Sequence, residues 1–337
     1  MKAIVLVGGF GTRLRPLTLT TPKQMLPVVN RPMIERVVES LAAGGVTDAV
    51  LSLGYRPSAF VDRYPGGVCA GVRLHYAVEP EPLDTAGAIR FAARQADLTE
   101  TFFVLNGDVL TDLDIKQLLA LHRSRGAEAT IALTPVDDPS RYGVVPTADD
   151  GLVLGFIEKP PRDQAPTNWI NGGTYVVEPS VIDRIAGDRK VSIERETFPA
   201  LVADRSLFAM QSDVYWVDAG TPATYLEVNL DLIDGKRGAT ESGIDSKASI
   251  AATAKVLRSV IGPGASIGPD AEIVDSVIMK GTRVGARALV RDSIVGVGAT
   301  IGGGASVAAL SVIGDGAAVE PGASLEGARL PSDNGES

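Results

Sequence analysis

Cysteine, histidine and aromatic residues are all scarce in this chain of 337 residues, which has one cysteine, two histidines and 5% aromatics. The lone cysteine, Cys69, excludes an internal disulfide and fits a reducing compartment, so a cytoplasmic location is expected. Two histidines argue against a histidine-built zinc site and against a Ser-His-Asp triad. His75 lies in the apolar run VRLHYAV and reads as a strand residue; His122, in the helical pattern IKQLLALHRSRG, is expected on a solvated face. An excess of basic charge is also missing: 32 Lys and Arg face 41 Asp and Glu, a net charge of −9. That balance argues against a nucleic-acid partner, which needs a basic face, but not against a single nucleotide, which needs only a local cluster. Nor is there a run approaching the roughly 18 apolar residues of a membrane span. Ala3 to Val7 is too short even for the core of a signal peptide, and no membrane partner is expected.

The length points to two domains. From residue 1 to about 235, short apolar runs alternate with helical patterns. Residues 2–7, 48–53, 72–78 and 101–105 read as strands, and 32–43, 57–63 and 86–95 as helices, with Pro32 suiting a first turn and Gly44-Gly45 a stop. Further strands are expected at 128–134, 143–146, 152–157, 173–177 and 206–210, then a helix at about 222–234. Repeated βα units predict an α/β domain, a Rossmann-like, mostly parallel sheet flanked by helices.

The pattern changes after a polar, glycine-containing linker, 235–245. Helical periodicity stops, and aliphatics recur at Ile250, Val256, Ile261, Ile267, Ile273, Ile278, Val284, Val290, Val295, Ile301, Val307, Ile313, Val319 and Leu325. Ile261 to Ile278 and Ile278 to Val295 are each 17 residues, and Val295 to Ile313 is 18. Three hexapeptides per coil, with an occasional deletion, predict a solenoid over 246–330 that stacks one inward aliphatic per face. The stretch resembles the left-handed parallel β-helix of hexapeptide-repeat proteins. The last residues, PSDNGES, are expected to fray.

The chemistry is concentrated in one loop. A strand runs into LVGGFGTRLRPLT, followed by Pro22-Lys23. Gly8, Gly9 and Gly11 let backbone amides approach phosphate oxygens, and Arg13, Arg15 and Lys23 add positive charge. No Gly-x4-Gly-Lys-Ser/Thr occurs, and the dinucleotide pattern begun at Gly9 meets Leu14 where it needs its third glycine.

LVGGFGTRLRPLT with TPKQMLP resembles the signature of the sugar-1-phosphate nucleotidyltransferases, or NDP-sugar pyrophosphorylases. The resemblance continues through Asn106-Gly107-Asp108, FIEKP at 156–160, INGGTY at 170–175 and WVDAGTP at 216–222, and covers nearly the whole chain. It implies a nucleotide site at Leu6, Gly8, Gly9, Gly11, Thr12 and Arg13, with Arg13 and Lys23 stabilising the transferring group. It implies a magnesium ion on Asp108 and Asp218, and a sugar-phosphate site built from Gly107, Gly143, Glu158, Lys159, Asn171 and Gly172. Gly172 stands where the usual pattern has alanine.

The base is expected near Glu79, Asp84, Thr85 and Ala86. Asp84 replaces the first glycine of the related Pro-Leu-Gly-Thr-Ala-Gly pattern, and aspartate tolerates the left-handed conformation that such a turn needs. Glu79 could accept from N1–H and N2–H2 of guanine. Thr-Ala-Gly, SIERETFP at 192–199 and the β-helix tail look most like the mannose-1-phosphate guanylyltransferases, whereas Gln24 after Pro-Lys is reminiscent of thymidylyltransferases. The resemblance thus implies transfer of a nucleotidyl group from an NTP, with GTP favoured, to mannose 1-phosphate, and thymidylyl or uridylyl transfer to glucose 1-phosphate as the alternative. An acyltransferase role for the tail is disfavoured because residues 246–337 hold no histidine. A non-catalytic regulatory subunit is disfavoured because Arg13, Lys23, Asp108 and Asp218 are all present. Solenoid ends need covering, so a homo-oligomer is expected.

Overall fold

Apolar runs buried on both faces build the centre of the first of two units into which the protein divides. This unit comprises Met1–Gly9 and Ile34–Trp216; the computed structural model describes residues 1–332. Strand Lys2–Leu6 pairs in parallel with Asp48–Leu53 on one side and Phe102–Asn106 on the other, and Asp48–Leu53 pairs in parallel with Val72–Val78. Trp169–Val177 runs antiparallel to both Phe102–Asn106 and Ala129–Pro135, and Leu207–Gln211 lies parallel to Ala129–Pro135. All six residues of Asp48–Leu53 are buried, as expected of a strand covered on both faces. The mixed, mostly parallel sheet of the sequence reading is therefore what forms.

Two local expectations need correction. The segment 152–157 is not a strand: Leu152 and Val153 make isolated bridges to Phe208 and Thr147, and regular pairing is confined to Ile157–Glu158. Gly151, at φ 85°, turns the chain just before it, and Gly155 interrupts it beyond an exposed Leu154. His122 is not solvated. It is 1% exposed on helix Ile115–Arg125, on the face that also buries Ile115 and Leu118. Its ring nitrogens find Thr130 Oγ1 and Glu178 Oε1, each at 2.9 Å, so burial leaves neither without a partner. His75 is the expected strand residue, with Nε2 3.1 Å from Asp48 Oδ1.

The second unit comprises Phe10–Met33 and Val217 onward. Its β-helix has three parallel sheets of five short strands. All fourteen predicted aliphatics lie in the ladders. One runs Ile261, Ile278, Val295, Ile313, a second Ile250, Ile267, Val284, Ile301, Val319, and a third Val256, Ile273, Val290, Val307, Leu325. At one corner, buried serines also repeat: Ser276 N–H donates to Ser259 Oγ at 3.1 Å and Ser293 N–H to Ser276 Oγ at 3.2 Å. The frayed end falls on residues 333–337, outside the described residues. Among the described residues no helix is long and apolar enough to cross a membrane.

Candidate functional site

In the first unit, Leu6 ends its strand and hands over to Gly8 and Gly9, both exposed. A Cβ on Gly8 would lie 3.7 Å from Glu79 Oε1. Glu79 anchors the next turn: its Oε1 accepts from Ser52 Oγ at 2.9 Å and its Oε2 from Leu83 N–H at 3.2 Å. Asp84 follows at φ 62°, the left-handed conformation expected where the related pattern has glycine, and it opens helix Asp84–Gln95. Its Oδ1 accepts from Thr85 N–H at 2.8 Å.

Thr85 and Ala86 turn inward. The Thr85 hydroxyl donates to Glu194 Oε2 at 2.9 Å and accepts from Ile193 N–H at 2.8 Å, while Ala86 N–H donates to Val191 O at 2.9 Å. Their donors are engaged within the protein, so they brace the turn against 191–194. Glu194 lies in a π-helical turn, Ile193–Thr197, a rare form that recurs at functional sites.

The residues expected to hold the sugar phosphate form a second group in the same unit. Gly143 pairs with Glu158, and a Cβ on Gly143 would lie 2.5 Å from the Phe156 ring and 3.2 Å from Glu158 Oε2. Lys159, at φ 49°, places its Nζ 3.0 Å from Glu158 Oε1 while its side chain is 61% exposed. Asn171 sits at a register shift in Trp169–Val177, where its Nδ2 donates to Tyr175 Oη at 2.9 Å and its Oδ1 accepts from Gly173 N–H at 3.0 Å. Burial, with Glu194 and Glu158 nearby, pushes the Tyr175 phenol well above its usual range. Tyr175 therefore feels one carboxylate from the Ile193–Thr197 turn and one from strand Ile157–Glu158. Gly172 O accepts from Trp216 Nε1 at 2.9 Å, and a Cβ there would lie 2.9 Å from Ala132 O. That close approach explains glycine in place of alanine. Gly107 N–H donates to Leu6 O at 2.9 Å, and half-buried Asp108 follows it, before strand Val109–Thr111.

In the second unit, Gly11 takes φ 60° and starts the 3-10 turn Thr12–Leu14. A Cβ on it would lie 2.9 Å from Thr18 Cγ2 and 3.3 Å from Lys23 Cβ, and Thr18 Oγ1 donates to Gly11 O at 2.8 Å. Thr12 and Arg13 are exposed. In WVDAGTP, Thr221 caps helix Pro222–Ile233 by accepting from Thr224 N–H at 3.2 Å, and Pro222 takes its first turn. Gly220 holds the key position. A Cβ there would lie 2.7 Å from both Arg13 Nη2 and Asp218 Oδ1, so guanidinium and carboxylate both approach the space that the missing side chain leaves.

Sequence reasoning missed Ser52, Tyr175 and Glu194 as members of the first unit's cluster. SIERETFP was the one signal for Glu194, and it carried no role.

Comparison with known proteins follows the same order along the chain. The nucleotidyl transferase family matches residues 2–235, and the GMPPB C-terminal domain matches 239–333. A mannose-1-phosphate guanyltransferase of Schizosaccharomyces pombe is 47% identical over 233 residues, 67% of this chain and 62% of that protein. A mannose-1-phosphate guanylyltransferase of Mycobacterium tuberculosis is 42% identical over 237 residues, 70% of this chain and 65% of that one. The crystal structure of HddC from Yersinia pseudotuberculosis complexed with GMP-PN superposes with a TM-score of 0.58 at 29% identity, covering 68% of this chain and 97% of that one. The chain thus spans 62 to 65% of the length of these curated relatives. With its match running through 2–235, more than half of the sequence, the chain belongs to the nucleotidyl transferase family.

Proposed function

We propose that the protein transfers a guanylyl group from GTP to mannose 1-phosphate, giving GDP-mannose and pyrophosphate. A phosphate oxygen of the sugar phosphate attacks the α-phosphorus. The bond to the leaving β-phosphate breaks, and pyrophosphate departs with the electron pair. The attacking phosphate is already ionised near neutral pH, so no covalent enzyme intermediate is required. The observation that carries this reading is the convergence at Gly220, where the Arg13 guanidinium and the Asp218 carboxylate both approach the place a Cβ would take. The relatives at 42 to 47% identity, named for mannose 1-phosphate and guanylyl transfer, support the choice of base and sugar.

In this reading Arg13 and Lys23 neutralise charge growing on the phosphates, and backbone groups of Leu6, Gly8, Gly9, Gly11 and Thr12 bind the nucleotide. Glu79 and Asp84 face the base, while Thr85 and Ala86 hold their turn. Glu79 already accepts one bond on each oxygen, and a carboxylate has about four acceptor sites, which leaves room for guanine N1–H and N2–H2. Glu158 accepts from sugar hydroxyls, and Asn171, Gly172, Gly143 and Gly107 shape the sugar-phosphate pocket. Lys159 leaves Glu158 at little cost, since an exposed ion pair is worth about 0–1 kcal/mol, and binds the sugar phosphate.

The family generally uses a divalent metal, and we infer magnesium. Asp108 and Asp218 would hold it. Two carboxylates fit an ion which keeps waters and phosphate oxygens as its other ligands. When bound, it would supply charge neutralisation to the phosphates. We further propose 1–235 as the catalytic domain, 246–330 as a β-helix that self-associates, and a cytoplasmic location. Pyrophosphate release from a matrix of nucleoside triphosphates and sugar 1-phosphates tests the reading. Fastest turnover with GTP and mannose 1-phosphate is expected, and fastest turnover with dTTP or UTP and glucose 1-phosphate would replace it by the alternative.

A further inference from the structure

The loop that carries Arg13 and Lys23 shares the second unit with the β-helix and makes specific contacts to it. Thr20 Oγ1 donates to Asp315 Oδ2. Asp315 follows strand Val312–Ile313, and its Oδ1 accepts from Val297 N–H of the preceding coil at 2.8 Å. The carboxylate therefore joins two coils of the solenoid to the loop. Beside it, a Cβ on Gly314 would lie 3.0 Å from Pro16 Cβ and Cγ, so the coil backbone lies directly against the loop. Tyr225, which donates from its hydroxyl to Pro27 O near the far end of the loop, also feels the Asp315 charge.

The anchored span runs from Pro16 to Thr20. Arg13 lies three residues before it and Lys23 three residues after it. Within the loop, the bond from Thr18 Oγ1 to Gly11 O ties the glycine turn to the same span. A shift at Thr20 is thereby passed to both cations and to the glycine backbone.

We propose that Asp315, on the β-helix, is a positioning residue for the nucleotide triphosphate, acting through Thr20 to hold the loop that carries Arg13 and Lys23. The proposal rests on the nucleotidyl-transfer reading and gives the solenoid a part in catalysis beyond packing or assembly. Misplacing phosphate-binding groups weakens a charge-assisted contact, so loss of the link should raise the KM for NTP about tenfold. The KM for sugar 1-phosphate should stay within about twofold, because the proposed sugar residues lie elsewhere in the chain.

The test uses the full-length protein and three single variants. Asp315→Ala removes both acceptors, and Thr20→Val removes the hydroxyl while sparing the bond to Val297. Asp315→Asn keeps an oxygen for Val297 and an amide that can donate to Thr20. The two disruptive variants should each raise the KM for GTP and weaken GTP binding by calorimetry. Asp315→Asn should retain near-normal values, and Asp315→Ala with Thr20→Val together should be no worse than Asp315→Ala alone. The proposal is overturned if Thr20→Val, with an unchanged melting temperature, binds GTP as the wild type does. Equal rises in both KM values, or fully additive effects in the double variant, would also overturn it. If the wild type releases pyrophosphate with no substrate pair, the reaction reading fails, whereas the calorimetric comparison still decides the loop anchor.

Discussion

Replacing Gly220 with alanine is the sharpest single perturbation of the proposed chemistry. The added methyl would lie 2.7 Å from Arg13 Nη2 and 2.7 Å from Asp218 Oδ1. Relaxed contacts between heavy atoms are about 3.5 Å or longer, so each charged tip must retreat by roughly 0.8 Å. Both tips end flexible side chains, and the backbone need not move. The stability loss should therefore stay below about 1 kcal/mol, a fall in melting temperature of no more than about 4 °C. Catalysis is less forgiving: a displacement near 1 Å in positioning groups costs on the order of 100-fold. Gly220→Ala should thus lower kcat/KM for pyrophosphate release on the order of 100-fold while the thermal melt barely changes. A folded Gly220→Ala variant within about threefold of wild-type kcat/KM would refute the assignment of Arg13 and Asp218 to the reacting phosphates.

Asp108→Asn and Asp218→Asn keep side-chain shape but remove charge, and each should lower turnover at limiting magnesium by on the order of 100-fold or more. Near-normal turnover in both variants would remove the metal assignment. Gly172→Ala puts a methyl 2.9 Å from Ala132 O, a backbone atom with little freedom to yield. It should destabilise the fold by roughly 1–3 kcal/mol in a denaturant titration, and an unmoved midpoint would count against the close approach. Arg73 holds the Asp48 carboxyl well below the usual carboxylate range, with His75 and Thr47 adding to the effect. A lowered folded pKa gives stability that is present above about pH 4 and is lost as pH falls through the folded value. The stability gap between wild type and Arg73→Gln should accordingly be constant above about pH 5 and shrink in more acidic buffer; a gap that widens there would reverse the sign.

Whatever depends on period is legible in this sequence. A coil of fixed length returns each aliphatic to the same ladder, so Ile261, Ile278, Val295 and Ile313 declare their stacking by spacing alone. The strands of the first unit are legible for a related reason, since runs such as DAVLSL must be covered on both faces. Partners separated along the chain are not legible. Nothing near His122 announces Thr130 and Glu178, and a histidine among charged neighbours on a helix reads as solvated until those partners are known.

The candidate site divides along the same line. Asp84 could be placed from the sequence because conformation is local: a position that needs positive φ accepts glycine, asparagine or aspartate, and φ is 62°. Thr85 and Ala86 carry the same motif, yet their donors go to Glu194 and Val191, more than a hundred residues away. A motif thus marks where a turn must be held without saying which of its members meets the ligand and which holds the others. The glycines make the same point. Gly11 is required by its own φ of 60°. Gly172 and Gly220 are required by what stands opposite them: Ala132 O for one, Arg13 and Asp218 for the other. The first kind can be read from a turn pattern, whereas the second emerges only when distant side chains and backbone arrive. Two of the most informative substitutions here, at 172 and 220, belong to that second kind, because an added methyl at either position measures a contact made by residues elsewhere in the chain.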